Sequence, residues 1–129
     1  MARRRGSKGS VDLTTTVGSL TLANPVMTAS GTAGHGDELG AYVDLSTLGA
    51  VVVKSLSPEP WAGNAAPRVH ETPAGMINSV GLQGPGVRKW LEEELPAVIA
   101  TGATVVASIW GTTIEDYALA AELLRDAPA

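Results

Sequence analysis

Residues 50–54, Ala-Val-Val-Val-Lys, are apolar and β-branched with no polar alternation, and no other feature constrains the fold as strongly. Such a run suits a strand buried on both faces, as in a parallel sheet covered by helices. Residues 25–29 and 104–109 are two further apolar strand candidates. Helical patterns alternate with them. Residues 37–48 form a weak helix closed by Gly49, and a second helix starts near Val87, where Val87, Trp90, Leu91, Leu95 and Val98 fall at helical spacing. Glu92, Glu93 and Glu94 form its solvated face, Pro96 must end or kink it, and Gly102 closes it. Thr112-Thr-Ile-Glu115 fits a capping box for a third helix, whose Ile114, Tyr117, Ala121 and Leu124 share one face. Residues 12–17 and 20–23 precede these units as a two-stranded hairpin around Gly18-Ser19.

The order is a hairpin followed by about three βα units without internal repeats, which is the start of an α/β barrel. A closed TIM (β/α)8 barrel takes ~250 residues, so this chain corresponds to a partial one. The strands are expected to lie parallel and adjacent in chain order, with right-handed helical crossovers and their C-terminal ends on one side. A doubly wound sheet suits the length better, yet its phosphate fingerprint is missing. Gly34-His-Gly36-Asp-Glu-Leu39 carries leucine where the last glycine belongs, and no Walker lysine motif occurs.

With 129 residues, 44% of them hydrophobic, the chain can build one ordinary core. No run of eighteen apolar residues is available to span a membrane, and the start, Met-Ala-Arg-Arg-Arg, lacks the apolar segment of a secretory signal. A cytoplasmic protein is expected. The absence of cysteine excludes disulfides, thiolate nucleophiles and cysteine-held zinc or iron-sulfur clusters within these residues. Net charge is −4, but Arg3, Arg4, Arg5 and Lys8 stand apart from the body, where five basic against thirteen acidic residues give −8. Such a body disfavours nucleic acid as a partner. Residues 1–10 read as a disordered basic tail and 11–129 as the folded portion.

Residues 56–85 hold five prolines and four glycines, too many for one regular element, although residues 68–72 could form a short strand. The part from Thr72 to Gly86 is expected to be too irregular for helix or strand and to fold around a small molecule, with Asn78 and Gln83 offering donors and acceptors. Lys54 ends the second strand, where barrel enzymes place catalytic residues. A half-desolvated cation there suits a carboxylate or the electron-rich edge of a reduced flavin, while on chemistry alone the commoner reading is a lysine snorkelling to the surface. Ser30 ends the first strand, where the plain reading is a turn residue closing it. His35 and His70 are read as loop residues, with no acidic partner at metal-ligand spacing, and Trp110 as packing or as a shield for a bound ring.

Three segments, Asn24-Pro-Val-Met-Thr-Ala-Ser-Gly31, Val53-Lys-Ser55 and Thr72-Pro-Ala-Gly-Met-Ile-Asn-Ser-Val-Gly-Leu-Gln-Gly-Pro-Gly86, closely resemble the class 1 dihydroorotate dehydrogenases, flavin enzymes of pyrimidine synthesis. The resemblance runs from about Val11 to the last residue. It implies FMN as cofactor and the oxidation of dihydroorotate to orotate. Lys54 matches the lysine that contacts flavin and substrate, and Ser55 the small hydroxyl residue after it. Asn78, Ser79, Val80, Gly81 and Leu82 match the substrate loop, and Ser30 a flavin-contact serine. Ser108 departs from the asparagine that many relatives carry to hold the flavin's polar edge. Arg68 matches an arginine taken as structural, pairing within the long loop.

The family's general base is a cysteine in a loop after the fourth strand, expected about ten residues beyond Ala129, and later strands bind the FMN phosphate. The chain therefore reads as a partial one, inactive alone, with no catalytic base or metal site of its own. The wording of the substrate loop resembles most the NAD-linked branch, whose catalytic subunit forms a homodimer core and works with a subunit carrying FAD and an iron-sulfur cluster. Fumarate-using homodimers, another pyrimidine-reducing flavin barrel, or a non-catalytic binding or assembly piece remain alternatives.

Overall fold

The computed structural model describes residues 11–128, so the expected tail, 1–10, lies outside the described residues. The first hairpin forms as expected: β1 (Thr15–Val17) and β2 (Leu20–Leu22) are antiparallel, with Val17 opposite Leu20. Gly18, at φ 59°, supplies the left-handed turn.

The three apolar runs lie side by side, in chain order and parallel. β3 (Val51–Val52) pairs with β6 (Val105–Val106), and further bonds from Leu56 N to Ser108 O (2.9 Å) and Trp110 N to Leu56 O (3.0 Å) carry the pairing toward the C-terminal ends. On its other side, β3 meets the first run through a single parallel bridge, Met27 to Ala50. Residues 25–29 thus form a bridge where a full strand was expected. Thr28 explains the shortening. Its hydroxyl accepts the Val52 N–H (2.8 Å) and donates to the Val52 carbonyl (3.2 Å), so a side chain takes the place of the ladder. Gly49 allows the close approach, since a Cβ there would stand 2.0 Å from the Asn24 carbonyl oxygen.

The first crossover is not the helix expected over 37–48. It consists of two 3-10 turns, Glu38–Ala41 and Leu45–Thr47. Gly40 weakens a helix at its middle. Asp44 then restarts the chain by accepting the Ser46 N–H (3.0 Å) and hydroxyl (2.7 Å), which places the buried Leu45 in the core. The second crossover is helical as expected: α1 (Val87–Lys89), a π-helical segment (Trp90–Glu94) and α2 (Leu95–Ala100) run end to end. Pro96 accounts for the wide turn, because a regular helix would press its ring against the carbonyl four residues back, at Glu92.

The long segment before α1 is more regular than its composition implies. β4 (Val69–Thr72) and β5 (Gly75–Asn78) form an antiparallel hairpin, which places His70 in a strand and corrects the irregular reading of Thr72 to Gly86. The pairing extends below it. Ser79 N donates to Arg68 O (2.8 Å), Asn64 N to Val80 O (3.0 Å), and Trp61 and Gly84 exchange both backbone bonds (3.0 and 2.9 Å). Residues 61–84 are thus one interrupted ribbon, and side chains hold it where prolines and glycines break the ladder. Arg68 reaches the carbonyls of Ala62 (3.3 Å) and Asn64 (3.1 Å) and the Gln83 amide oxygen. That is the structural role expected of it.

The main core lies between the sheet and the helices, where Val53, Leu56, Val87, Trp90, Leu95 and Ala120 are all buried. Only this face of β3 is fully covered by described residues: Val51 and Val53 are buried, whereas Val52 on the other face is half-buried. The reading of residues 50–54 as buried on both faces holds at Ala50, which is fully buried on the same face as Val52, and is met only in part at Val52 and Lys54. α3 (Ile114–Leu124) is capped by Thr113 with Asp116, one residue later than the expected Thr112 and Glu115. Its packed face also differs. Ala120, Leu123 and Leu124 face the core, while Ile114 is 84% exposed and Tyr117 46%.

Candidate functional site

Parallel strands in chain order bring their C-terminal ends to one side, and serines collect there. Ser30 Oγ stands 3.1 Å from Ser55 Oγ, which stands 2.8 Å from Ser108 Oγ. Each hydroxyl has one proton to give. Ser30 donates its own to the Val53 carbonyl (3.1 Å), so Ser55 donates to Ser30 and Ser108 to Ser55. In that sense the chain ends with Ser108 as an acceptor, and reversed it ends with a donor. The reversed sense gives up the Ser30 bond to the Val53 carbonyl, so the pattern found here favours a ligand edge that donates to Ser108.

Lys54, between these serines in sequence, lines a cleft of about 800 Å³ shared with His35, Trp61, Gln83, Lys89 and Glu94. Its backbone N–H donates to Gly34 O (2.8 Å), which ties the Gly34-His-Gly36 turn to the strand end. The same turn is held from the helix side, where Trp90 Nε1 donates to His35 O (2.6 Å). Burial, then the Lys54 charge, holds the His35 imidazole below its ordinary pKa, with Glu38 opposing. Its Nε2 is buried and lacks a hydrogen-bond partner. Glu94 moves the other way: burial, then Glu38 and Glu93, raise its pKa against the pull of Lys89. Glu92 and Glu93 are solvated as expected, but Glu94 is half-buried in the cleft wall.

Asn78, Ser79, Val80, Gly81 and Leu82 lie on the returning limb of the ribbon. Asn78 and Ser79 border a shallow hollow with Arg68 and His70, apart from the Lys54 cleft, whereas Gln83 and Gly84 at the foot of the limb line the cleft itself. The structure thus brings Lys54, Ser30, Ser55 and Ser108 to one sheet end, while the 78–82 segment reaches the cleft only through Gln83 and Gly84, which follow it. Internal bonds shape that segment. The Asn64 side chain donates to Ser79 O (2.8 Å) and Trp61 Nε1 to Gly81 O (3.0 Å). Gly81, at φ 77°, is pressed against Asn64, 2.8 Å from where a Cβ would stand. Trp61 also meets Trp110 edge to face, with ring centroids 5.7 Å apart and planes at 80°.

His35, Glu94 and Trp61 belong to this cleft, and sequence reasoning did not single them out as site residues. One signal for His35 was its place in a glycine-flanked turn a few residues past a strand end. Glu94 carried a signal too: it stands seven residues after Val87 and four after Trp90, on the apolar stripe of the helix and not with its solvated neighbours.

An α/β arrangement with polar side chains gathered at the C-terminal ends of adjacent parallel strands defines a class of ligand-binding and catalytic proteins. Within it, the family model described as dihydroorotate dehydrogenase matches residues 12–128, and the chain belongs to that family. It is 50% identical over 117 residues to the "Dihydroorotate dehydrogenase B (NAD(+)), catalytic subunit" of Alkaliphilus metalliredigens, covering 91% of this chain and 39% of that protein. The proteins of the same name from Thermoanaerobacter pseudethanolicus and Geobacillus kaustophilus are 53% and 49% identical, over 88% and 84% of this chain and 38% and 35% of theirs. The chain thus spans about two fifths of the length of these curated relatives.

Proposed function

We propose that this chain forms part of a flavin-binding (β/α)8 barrel that oxidises dihydroorotate to orotate in pyrimidine synthesis. The observation that carries the reading is the juxtaposition of Ser30, Ser55 and Ser108 with Lys54 at one end of three adjacent parallel strands, in a member of this family. That donor set fits a flavin: three neutral hydroxyls able to give or take a proton, beside one cation. Ser30, Lys54, Ser55 and Ser108 would hold FMN by its polar edge, and bound FMN would supply the acceptor for the substrate's hydride.

Lys54 then serves twice. Its ammonium would compensate developing negative charge on a bound flavin and would pair with the substrate's carboxylate. Ser108 does part of the work of an amide with a shorter reach. Asn78 to Leu82 form the substrate lip, anchored to the cleft rim through Gly81 and Trp61. The C5 proton leaves to a base contributed by the rest of the protein, since none of these 129 residues is a cysteine. The names of the relatives favour a catalytic subunit that works with a separate subunit and with NAD, and our reading adds a cytoplasmic location and a homodimeric core.

In the full-length protein, Lys54→Ala should weaken both FMN retention and orotate binding. Asn78→Ala should leave FMN bound yet raise the dihydroorotate requirement and slow bleaching of the flavin in stopped flow. Wild-type bleaching by Asn78→Ala would remove the lip assignment, and FMN held normally by Lys54→Ala would remove the Lys54 assignment.

A further inference from the structure

Two tryptophans connect the sheet to the ribbon, and of these the proposed function uses only Trp61, as an anchor of the lip. Trp110 follows Ser108 on the third strand, with its backbone N–H fixed to Leu56 O (3.0 Å). Its indole Nε1 is buried without a partner, although an unpaired buried donor carries a penalty. Its ring meets Trp61 edge to face, a geometry that draws on the π-system and needs no hydrogen bond. Trp61 in turn sits at the foot of the ribbon, paired with Gly84, and donates its own N–H to Gly81 O.

We propose that Trp110 is a positioning residue: by holding Trp61 it fixes the Gly81 carbonyl, and so sets where the Asn78 to Leu82 segment stands relative to the Lys54 cleft, whose wall Trp61, Gln83 and Gly84 form. The contact works as a latch between the strand end that carries Ser108 and the lip, and its value for substrate rests on the dehydrogenase reading above. Because the ring and not the N–H makes the contact, phenylalanine should serve at position 110. At position 61 it should not, because there the N–H is used.

The test uses the full-length, FMN-loaded protein and two measurements that need no turnover, orotate affinity from the flavin absorbance change and the rate of tryptic cleavage after Arg68 in the ribbon. An aromatic edge-to-face pair is worth enough that Trp110→Ala should accelerate cleavage and weaken orotate binding by about three- to tenfold each, with FMN affinity unchanged. Trp110→Phe should match wild type in both. Trp61→Phe keeps a ring against Trp110 but lacks the N–H, so it should reproduce both losses even if Trp110→Ala fails to fold. Unchanged cleavage in Trp110→Ala and Trp61→Phe, faster cleavage with unchanged orotate affinity, or a Trp110→Phe protein as impaired as Trp110→Ala would each overturn the latch. A wild-type protein that binds FMN but not orotate would instead bring down the dehydrogenase reading, and the tryptic rates would still decide whether Trp110 holds the ribbon.

Discussion

His35 and Glu94 face one cleft and respond to acid in opposite ways because burial disfavours whichever form is charged. His35, with its pKa below the ordinary 6.5, binds fewer protons folded than unfolded. Its contribution to stability is therefore complete above 6.5 and declines as pH falls below that value. Glu94, raised above the ordinary 4.5, opposes folding while ionised, and that opposition is relieved as pH falls toward 4.5. Single variants of the full-length protein should separate the two. His35→Gln should gain stability on acidification from 6.5 to 4.5, and Glu94→Gln should lose it, as read from urea midpoints across that range. Parallel profiles for the two variants would show that neither group titrates as its surroundings dictate. The residue pattern hinted at each member separately but not at the pair, because the two meet only where a turn after one strand packs near a helix far along the chain.

At the scale of elements, α3 offers the sharpest local test. Asp116 accepts from Thr112 N (2.8 Å), Thr112 Oγ1 (2.9 Å) and Thr113 N (3.0 Å), and its own N–H donates to Thr113 Oγ1 (3.2 Å). The Thr112 hydroxyl, then the backbone N–H groups, hold its carboxyl below the ordinary value, so the cap is intact above the carboxylate range and is lost as pH falls through the depressed pKa. Thr113→Ala should cost about 1 kcal/mol in chemical denaturation, a typical value for losing an N-cap. Thr112→Ala should retain most of the cap, because the Thr113 side chain remains. A larger loss from Thr112→Ala would restore the capping box that the sequence pattern alone favours.

That one-residue slip shows what the sequence could and could not say. Parallel strands, their order and the polar residues at their ends were legible because apolar runs and strand-end residues are local. The packed face of α3 was not, since Ile114 and Tyr117 share helical spacing with Leu124 and only the neighbouring strands decide which stripe turns inward. The ribbon over 61–84 escaped for a related reason. Its pairing joins residues many positions apart, across prolines and glycines that argue locally against any strand.

For the molecule as a whole, surface area is the informative quantity. A compact monomer of 13.2 kDa exposes about 6,400 Å², whereas this chain exposes 9161 Å². The surplus exceeds the roughly 1,500 Å² that ten fully extended residues can add. Part of it lies on the sheet: Val26 and Met27 are 57% and 41% exposed, and among the described residues the outer edge of β6 has no strand partner. Closing the sheet into a barrel would cover both faces and pair both edges, which is why the barrel reading accounts for this shape. Left open, an apolar edge recruits another chain. The 129-residue polypeptide, expressed by itself, should therefore self-associate and stay poorly soluble, and light scattering across a dilution series should show mass rising with concentration. A monomer that melts cooperatively at every concentration would mean that the sheet tolerates its open edges, and would favour a free-standing binding module over one wall of a barrel.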